Sequence, residues 1–412
     1  MTREMKNSGI DWIGQIPADW KIGRVKNAFT RKNEKAQQEE PTILSLARSG
    51  VKVRDVSTGE GQIAESYYNY NPVEPFDLLL NPMDLYSGAN CSISKVSGVI
   101  SPAYINLKAN EEYYPVFYDY YFKTQYWAMA FFAHGKGVSY DNRWTLSSET
   151  LMNYYIPVPS FTEQKKIADF LDSKVTEIDK MIAETKSSIE NYKEYKSAII
   201  DETITKGNFP QYKFRYLGEL KNGLNYHSAS DEKTIKFLGV GDFKNFMVLD
   251  SIDCFSDLPI DTEISDEYFL KSGDIVFVRS NGSKELVGRS IMVDNIDYDL
   301  TYSGFCIRFR NENSEKVRNK YLLYFFRSEY FKECLKQGSS GMAINNLSQD
   351  ILNSVRVPIP SIEKQDEIIN HLDLKCTEIE NLISEKEALV SNLEEYKKTL
   401  IYEYVTGKKA VL

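Results

Sequence analysis

PVPSFTEQKKIADFLDSKVTEIDKMIAETKSSIENYKEYKSAIIDETITK occupies residues 157–206, and PIPSIEKQDEIINHLDLKCTEIENLISEKEALVSNLEEYKKTLIYEYVTG occupies residues 358–407. The two stretches align without a gap at an offset of 201, and 20 of their 50 positions are identical, against roughly 3 expected from average composition. So regular an offset marks an internal duplication, which constrains the architecture before any other residue is read.

Inside the first copy, Leu171, Val175, Ile178, Ile182, Thr185, Ile189, Tyr192, Lys196 and Ile199 step by four and three residues, an unbroken heptad register. The second copy holds Leu372, Cys376, Ile379, Ile383, Lys386, Val390, Leu393, Lys397 and Leu400 in the same register. Four heptads form a rod of roughly 45 Å at about 1.5 Å per residue. The polar interruptions recur as well, Thr185 with Lys386 and Lys196 with Lys397. On a seam such residues either specify register and partner or snorkel into a wet interface. Proline disfavours helix at the residue before it, so each P-x-P-S segment predicts a sharp helix start. Ser160 and Glu163 have the spacing of a capping box; Lys364 stands at the second copy's equivalent position, which predicts a different cap there.

Two equal rods in one chain are expected to pair with each other, antiparallel if the halves are related by a pseudo-twofold. The alternative is that each rod packs only on its own globular segment. The expected fold class is α+β, with mixed α/β domains at 1–156 and 208–356 and long helices at 157–207 and 357–412. Strands are expected at 42–46, 76–80, 235–238 and 273–278, and aromatic helices at 117–132 and 321–335. The in-register match also reaches upstream of the rods: Gly137, Leu146, Ser147 and Leu151 answer Gly338, Leu347, Ser348 and Leu352. Farther upstream the match needs gaps, as for two readers that diverge on a common frame.

Loops in both segments mix positive charge, amides and small residues. The first offers Arg48, Lys52, Arg54, Tyr86, Asn90, Lys136, Ser139, Asn142 and Arg143; the second offers Lys244, Arg279, Asn281, Lys284, Arg289, Ser340, Asn345 and Asn346. Arginine pairs bidentately with guanine and asparagine with adenine, while serine, lysine and backbone amides hold phosphates. Polar loops are common on any protein surface, so composition alone makes these residues candidates for DNA contact and nothing stronger.

At 412 residues, 42% apolar and 13% aromatic, the chain has material for two or three cores. A net charge of −9 argues against a generally polycationic binder but leaves room for a local basic face. The five cysteines and three histidines are scattered with no zinc-ligand spacing. The N-terminal residues are polar and no apolar run approaches a membrane span, so a soluble cytoplasmic protein is expected. Gly239-Val240-Gly241 lacks the third glycine of a dinucleotide fingerprint, Lys244 standing in its place. Asn81-Pro82-Met83-Asp84 shares two letters with an amino-methyltransferase motif but lacks its aromatic residue, and reads as a turn. No Walker A sequence, catalytic triad or metal cluster appears, and His134, His227 and His371 are isolated.

Ile156-Pro157-Val158-Pro159 with Glu163-Gln164, Ile167 and Leu171 returns as Val357-Pro358-Ile359-Pro360 with Gln365, Ile368 and Leu372. With this doubled motif, and with Asp11-Trp12-Ile13-Gly14-Gln15-Ile16-Pro17 and Trp20 near the start, the chain resembles the specificity subunits of type I restriction–modification enzymes over essentially its full length. The resemblance implies a non-catalytic subunit in which each globular segment is a target recognition domain reading half of a split double-stranded DNA site, with the paired rods as a ruler. It further implies two methyltransferase subunits that use S-adenosylmethionine, and restriction subunits that use ATP and Mg. No cofactor, metal or membrane is expected on this chain. The competing readings are a coiled-coil scaffold that never touches DNA and a self-sufficient DNA enzyme.

Overall fold

The computed structural model describes residues 3–57, 64–83, 85–86, 90–138, 144–225, 234–243, 247–260, 263–280, 282, 286–338 and 346–411. The chain divides into two compact units, Met1–Thr185 with Ala388–Leu412, and Lys186–Glu387. Each long helix is therefore split between the units.

The first unit runs β1 (Met5–Asn7), β2 (Gln15–Pro17), β3 (Lys21–Arg24), α1 (Val25–Ala28), β4 (Phe29–Lys32), β5 (Leu44–Ala47), β6 (Gly50–Val53), β7 (Asn71–Val73), β8 (Leu78–Leu80), β9 (Cys91–Ile93), β10 (Gly98–Ile100), β11 (Ile105–Ala109), α2 (Pro115–Trp127), α3 (Ala130–Ala133), α4 (Ser148–Asn153), β12 (Tyr155–Val158) and the start of α5 (Phe161–Thr205). Its main sheet is antiparallel, in the order β4-β11-β8-β9. Leu78, Leu79 and Leu80 are all buried, so β8 is covered on both faces. A single aromatic helix over 117–132 was expected, but the structure breaks it. α2 stops at Trp127, and Met129 adopts the left-handed conformation (φ 58°) before α3 begins. The break turns Phe131 inward, where its ring meets those of Phe122, Tyr126 and Tyr154. Aromatic burial there outweighs helix continuity.

The second unit takes up the rest of α5 and continues through β13 (Gln211–Lys213), β14 (Gly218–Asn222), β15 (Thr234–Leu238), β16 (Val248–Leu249), β17 (Ser256–Pro259), β18 (Ile275–Val278), β19 (Ser290–Val293), β20 (Leu300–Tyr302), β21 (Cys306–Asn311), α6 (Asn319–Arg327), α7 (Glu329–Gly338), α8 (Gln349–Ser354), β22 (Arg356–Pro358) and α9 (Ile362–Val405). A five-stranded sheet, β14-β21-β18-β19-β16, lies beside a three-stranded one, β17-β15-β20. Successive strand side chains point to opposite faces, and β18 uses this to feed two cores. Ile275 and Phe277 join the core with α6 and the long helices, while Val276 and Val278 join the core with Leu238, Leu300 and Tyr302. The aromatic helix expected at 321–335 is again two helices. Ser328 interrupts it, its Oγ donating to Phe325 O (2.6 Å) and accepting from Phe331 N (3.1 Å), and so caps α7.

Both globular segments are fastened to the helix that follows them by the same set of bonds. Gln164, fully buried, accepts from Tyr114 N (2.8 Å) and donates to Pro159 O (2.9 Å). Gln365, also fully buried, accepts from Arg318 N (2.8 Å) and donates to Pro360 O (2.9 Å) and Lys316 O (2.8 Å). Tyr120 donates to Asp172, and Tyr324 to Asp373, each at 2.7 Å. Tyr118 and Tyr321 donate to the carbonyls of Pro157 and Pro358. A side-chain amide that both donates and accepts satisfies backbone groups from two segments at once.

The helix starts differ from the sequence reading. Only half of a capping box forms: Glu163 N donates to Ser160 Oγ (3.3 Å), and Lys364 N donates to Ser361 Oγ (3.4 Å). The Glu163 carboxylate faces elsewhere, accepting from Arg3 Nη1 (2.5 Å) and Trp20 Nε1 (2.9 Å). The two starts share that amide bond but differ around it, since Glu363 also engages the Ser361 hydroxyl and Lys364 pairs with Glu367 (2.7 Å).

In the first unit α5 and α9 meet at Phe170 with Tyr404 (ring centroids 4.5 Å) and at Asp179 with Lys397 (2.6 Å). In the second they meet at Tyr192 with Lys386, whose Nζ lies 5.7 Å from the ring centroid, and at Lys196 with Glu380. Within each unit the partner numbers fall as the α5 numbers rise, so the segments run antiparallel. Among the described residues no helix is long and apolar enough to cross a membrane.

Candidate nucleic-acid interface

In the first unit three loops meet at one edge. The β5–β6 hairpin carries Arg48, Lys52 and Arg54; Arg48 and Lys52 are exposed, and Arg54 is half-buried with its amide donating to Ile43 O (2.8 Å). Asn90 ties this hairpin to the second loop, its Nδ2 donating to Ala47 O (2.6 Å) while its carbonyl accepts from Asn81 N (2.9 Å). The third loop joins through Leu85 N to Trp144 O (3.2 Å) and Leu146 N to Pro82 O (2.8 Å). Tyr86 is 60% exposed, and its ring lies 6.1 Å from Phe132, which in turn lies 5.6 Å from Trp144. Lys136 is exposed and pairs through its backbone with Thr145. Arg48, Lys52, Arg54, Tyr86, Asn90 and Lys136 thus belong to one joined set of loops. Ser139, Asn142 and Arg143 lie outside the described residues.

The second unit builds a similar edge. Arg279 N donates to Phe305 O (2.8 Å), and Leu347 N donates to Arg279 O (2.8 Å). Ser280 forms a bridge with Asn346, which is exposed. Gly304 N donates to Leu224 O (2.7 Å), and Gln349 Nε2 to Asn222 Oδ1 (3.0 Å). Gly223 is required here, because a Cβ would lie 2.2 Å from Ser303 O. Arg279 and Asn346 come together in this way. Arg289 is half-buried and pinned, its Nη1 donating to Phe243 O (3.0 Å). Lys244, Asn281, Lys284, Ser340 and Asn345 lie outside the described residues, as does His227.

Electrostatics separates the arginines. Arg310 grips Asp274 at 2.8 and 2.6 Å, and that hydrogen bond raises its pKa. Arg308, almost fully buried, pairs with Glu219. Both are spent inside the protein. Among the described residues, Arg279 meets no carboxylate, and its Nη1 makes a long contact to Gly304 O at 3.5 Å. In the first unit Lys32 is consumed by Asp77 (2.8 Å); burial alone would lower its pKa, but the bonds to Asp77 and Glu74 raise it overall.

Four polar or aromatic residues of the second edge escaped sequence reasoning: Asn222, Asn225, Gln349 and Phe305. None lies in a basic or glycine-rich run, so only the convergence of three loops brings them to notice. The rejected motifs are local turns. Asn81 Oδ1 accepts from Met83 N (3.0 Å), with Asp84 outside the described residues. Asp242 occupies the Gly239 amide (2.7 Å), a donor that a phosphate would need. His134 packs against Trp12 and Tyr154, and His371 is exposed on α9. On the rods, Leu171, Ile178, Ile182, Ile189, Leu372, Cys376, Ile379, Val390 and Leu400 are buried, and Val175, Tyr192, Ile199, Ile383 and Leu393 are half-buried. Among the described residues no group of three or more His, Cys, Asp or Glu is placed to hold a metal ion.

Polar loop edges on braced α/β segments have the form of a recognition protein, without a clustered metal or catalytic centre among the described residues. A family model described as the type I restriction modification DNA specificity domain matches residues 90–191 and 212–387. The chain is 23% identical over 428 residues to the type I restriction enzyme MjaVIII specificity subunit of Methanocaldococcus jannaschii, covering 96% of this chain and 94% of that one. It is 25% identical over 310 residues to the StySPI specificity subunit of Salmonella potsdam, covering 71% and 62%. A solved structure described as a basis for complex assembly and conformational transition of the type I R-M system superposes with TM-score 0.73 at 14% identity, covering 96% and 99%. The HsdS subunit of Thermoanaerobacter tengcongensis gives TM-score 0.52 at 13% identity, covering 96% and 98%. The chain belongs to the type I restriction–modification DNA specificity family. Its work is sequence recognition and not catalysis, and an adaptor that never touches DNA has no support.

Proposed function

We propose that each globular segment is a target recognition domain that reads one half of a split duplex site through the major groove, and that α5 and α9 pair as an antiparallel coiled coil relating the segments by a pseudo-twofold repeat. The observation that carries this reading is the recurrence, in each unit, of a polar loop edge on a segment clamped to its helix by one glutamine and two tyrosines. The ion pairs support the pairing, because Lys196–Glu380 and Lys397–Asp179 occupy equivalent positions at the offset of 201. Two methyltransferase subunits dock on this helical frame and methylate adenines with S-adenosylmethionine. Restriction subunits add ATP- and Mg-dependent translocation and cleavage. These cofactors reside on the partners, and the assembly works in the cytoplasm.

The test is methylome sequencing of cells carrying the chain with its methyltransferase, followed by anisotropy titration of the chain on the mapped bipartite duplex. Phosphate neutralisation should make the affinity fall steeply between about 50 and 200 mM salt. A flat salt response, with equal binding to a scrambled duplex, overturns the reading.

A further inference from the structure

Phe305 interrupts a buried stretch. Thr301 to Gly304 and Cys306 to Phe309 are all buried, yet Phe305 between them is 58% exposed. A lone exposed apolar residue is ordinary on a protein surface, but this one is held unusually firmly. Its carbonyl accepts from Arg279 N (2.8 Å) and Ser280 N (3.4 Å), and its amide donates to Ser303 Oγ (3.2 Å). The preceding Gly304 is bonded to Leu224 and packs so closely on Asn225 that a Cβ would lie 2.1 Å from Oδ1. The exposed ring is therefore carried by a firmly bonded turn whose backbone meets Arg279 and whose neighbour Gly304 meets Leu224 and Asn225.

We propose that Phe305 is a specificity-determining residue that packs on a thymine methyl in the half-site read by the second domain; this rests on the DNA-reading function above. The neighbouring arginine and amides address hydrogen-bonding edges of bases. The C5-methyl of thymine is the apolar feature of the major groove, and an aromatic side chain recognises it by contact. A ring fixed by its backbone makes that contact with little ordering entropy left to lose.

The experiment uses the full chain and duplexes of the mapped site with single dT→dU replacements, which remove one methyl and leave the hydrogen-bonding edges intact. One replacement in the second domain's half-site should weaken wild-type binding roughly three- to fivefold, the worth of one buried methyl. Phe305→Ala should bind the dT and dU forms of that position equally, while keeping the wild-type response to replacements in the other half-site. Phe305→Leu should keep part of the penalty. An unchanged penalty in Phe305→Ala, or a wild-type chain indifferent to every replacement in that half-site, overturns the assignment. So does a rise in 2-aminopurine fluorescence that depends on Phe305 without any dU effect, which marks a wedge between bases. Wild-type chain that fails to prefer the mapped site over a scrambled duplex removes the DNA-reading function itself, and this inference with it.

Discussion

Replacing Gln365 with leucine should loosen the second globular segment from its helix while sparing the apolar core. Gln365 has no exposed surface, and its amide makes three bonds, to Arg318 N (2.8 Å), Lys316 O (2.8 Å) and Pro360 O (2.9 Å). Leucine fills a similar volume, so no large cavity opens, but one backbone donor and two acceptors lose their partner. At about 1 kcal/mol net per bond, the expected loss is about 3 kcal/mol, more if the orphaned groups stay dry. That corresponds to local opening roughly a hundredfold more frequent. A urea melt of a two-unit chain need not be two-state, so the assay is amide hydrogen exchange followed at residues 314–322 and 362–370. Gln164→Leu is the internal comparison and should act on the first unit by somewhat less, because its third contact, to Glu112 O, is 3.4 Å. Exchange at these amides within about threefold of wild type would refute the idea that the clamp holds domain to helix.

Arg279→Ala should weaken DNA binding by about 1–3 kcal/mol, confined to one half-site if the guanidinium reads a base; a uniform loss across sequences would make it a phosphate contact. Arg143→Ala should do the same at the other half-site, and the same titration decides it. Deleting one heptad from each rod, roughly 10 Å, should shorten the preferred spacer by about 3 base pairs at about 3.4 Å each; an unchanged spacer in methylome sequencing sinks the ruler. Burial pushes the Cys91 thiol well up and the Cys306 thiol up to about 12. Thiolate is the reactive form, so at about pH 8 both should resist iodoacetamide until the chain unfolds, as peptide mass mapping would reveal. Lys196→Ala with Glu380→Ala should give a coupling of at most about 1 kcal/mol in a double-mutant cycle, because Glu380 is half exposed and water screens the pair; a larger value would mean that the pair sets the register.

The rods were the most legible part of the chain. Their heptad positions are buried or half-buried, but the expected spans of 157–207 and 357–412 were too long: α5 and α9 start only at Phe161 and Ile362, because the proline-led residues before them pair as strands in β12 and β22, and they end at Thr205 and Val405. The aromatic helices were legible in type but not in continuity. The breaks at Met129 and Ser328 arise from rings and a hydroxyl that find partners far along the chain or across a turn. Glu163 misled for a related reason, since a capping box is a local pattern whereas Arg3 and Trp20, distant in sequence, claim its carboxylate.

The candidate loop edges were legible only in part. Runs of charge and glycine pointed to Arg48, Lys52, Arg54, Lys136 and Arg279, because a loop needs such residues whether or not it meets a ligand. Asn222, Asn225, Phe305 and Gln349 carry no local signal and join Arg279 through bonds between segments far apart in the chain. Duplication and helix register are written in residue spacing, since period and offset are properties of the chain itself. Which arginines remain available to a ligand depends on the carboxylates that folding brings beside them. Asp274 and Glu219 engage Arg310 and Arg308, while among the described residues Arg279 meets no carboxylate and makes a long bond to the Gly304 carbonyl. That allocation is a matter of distance in space, which only the tertiary structure decides.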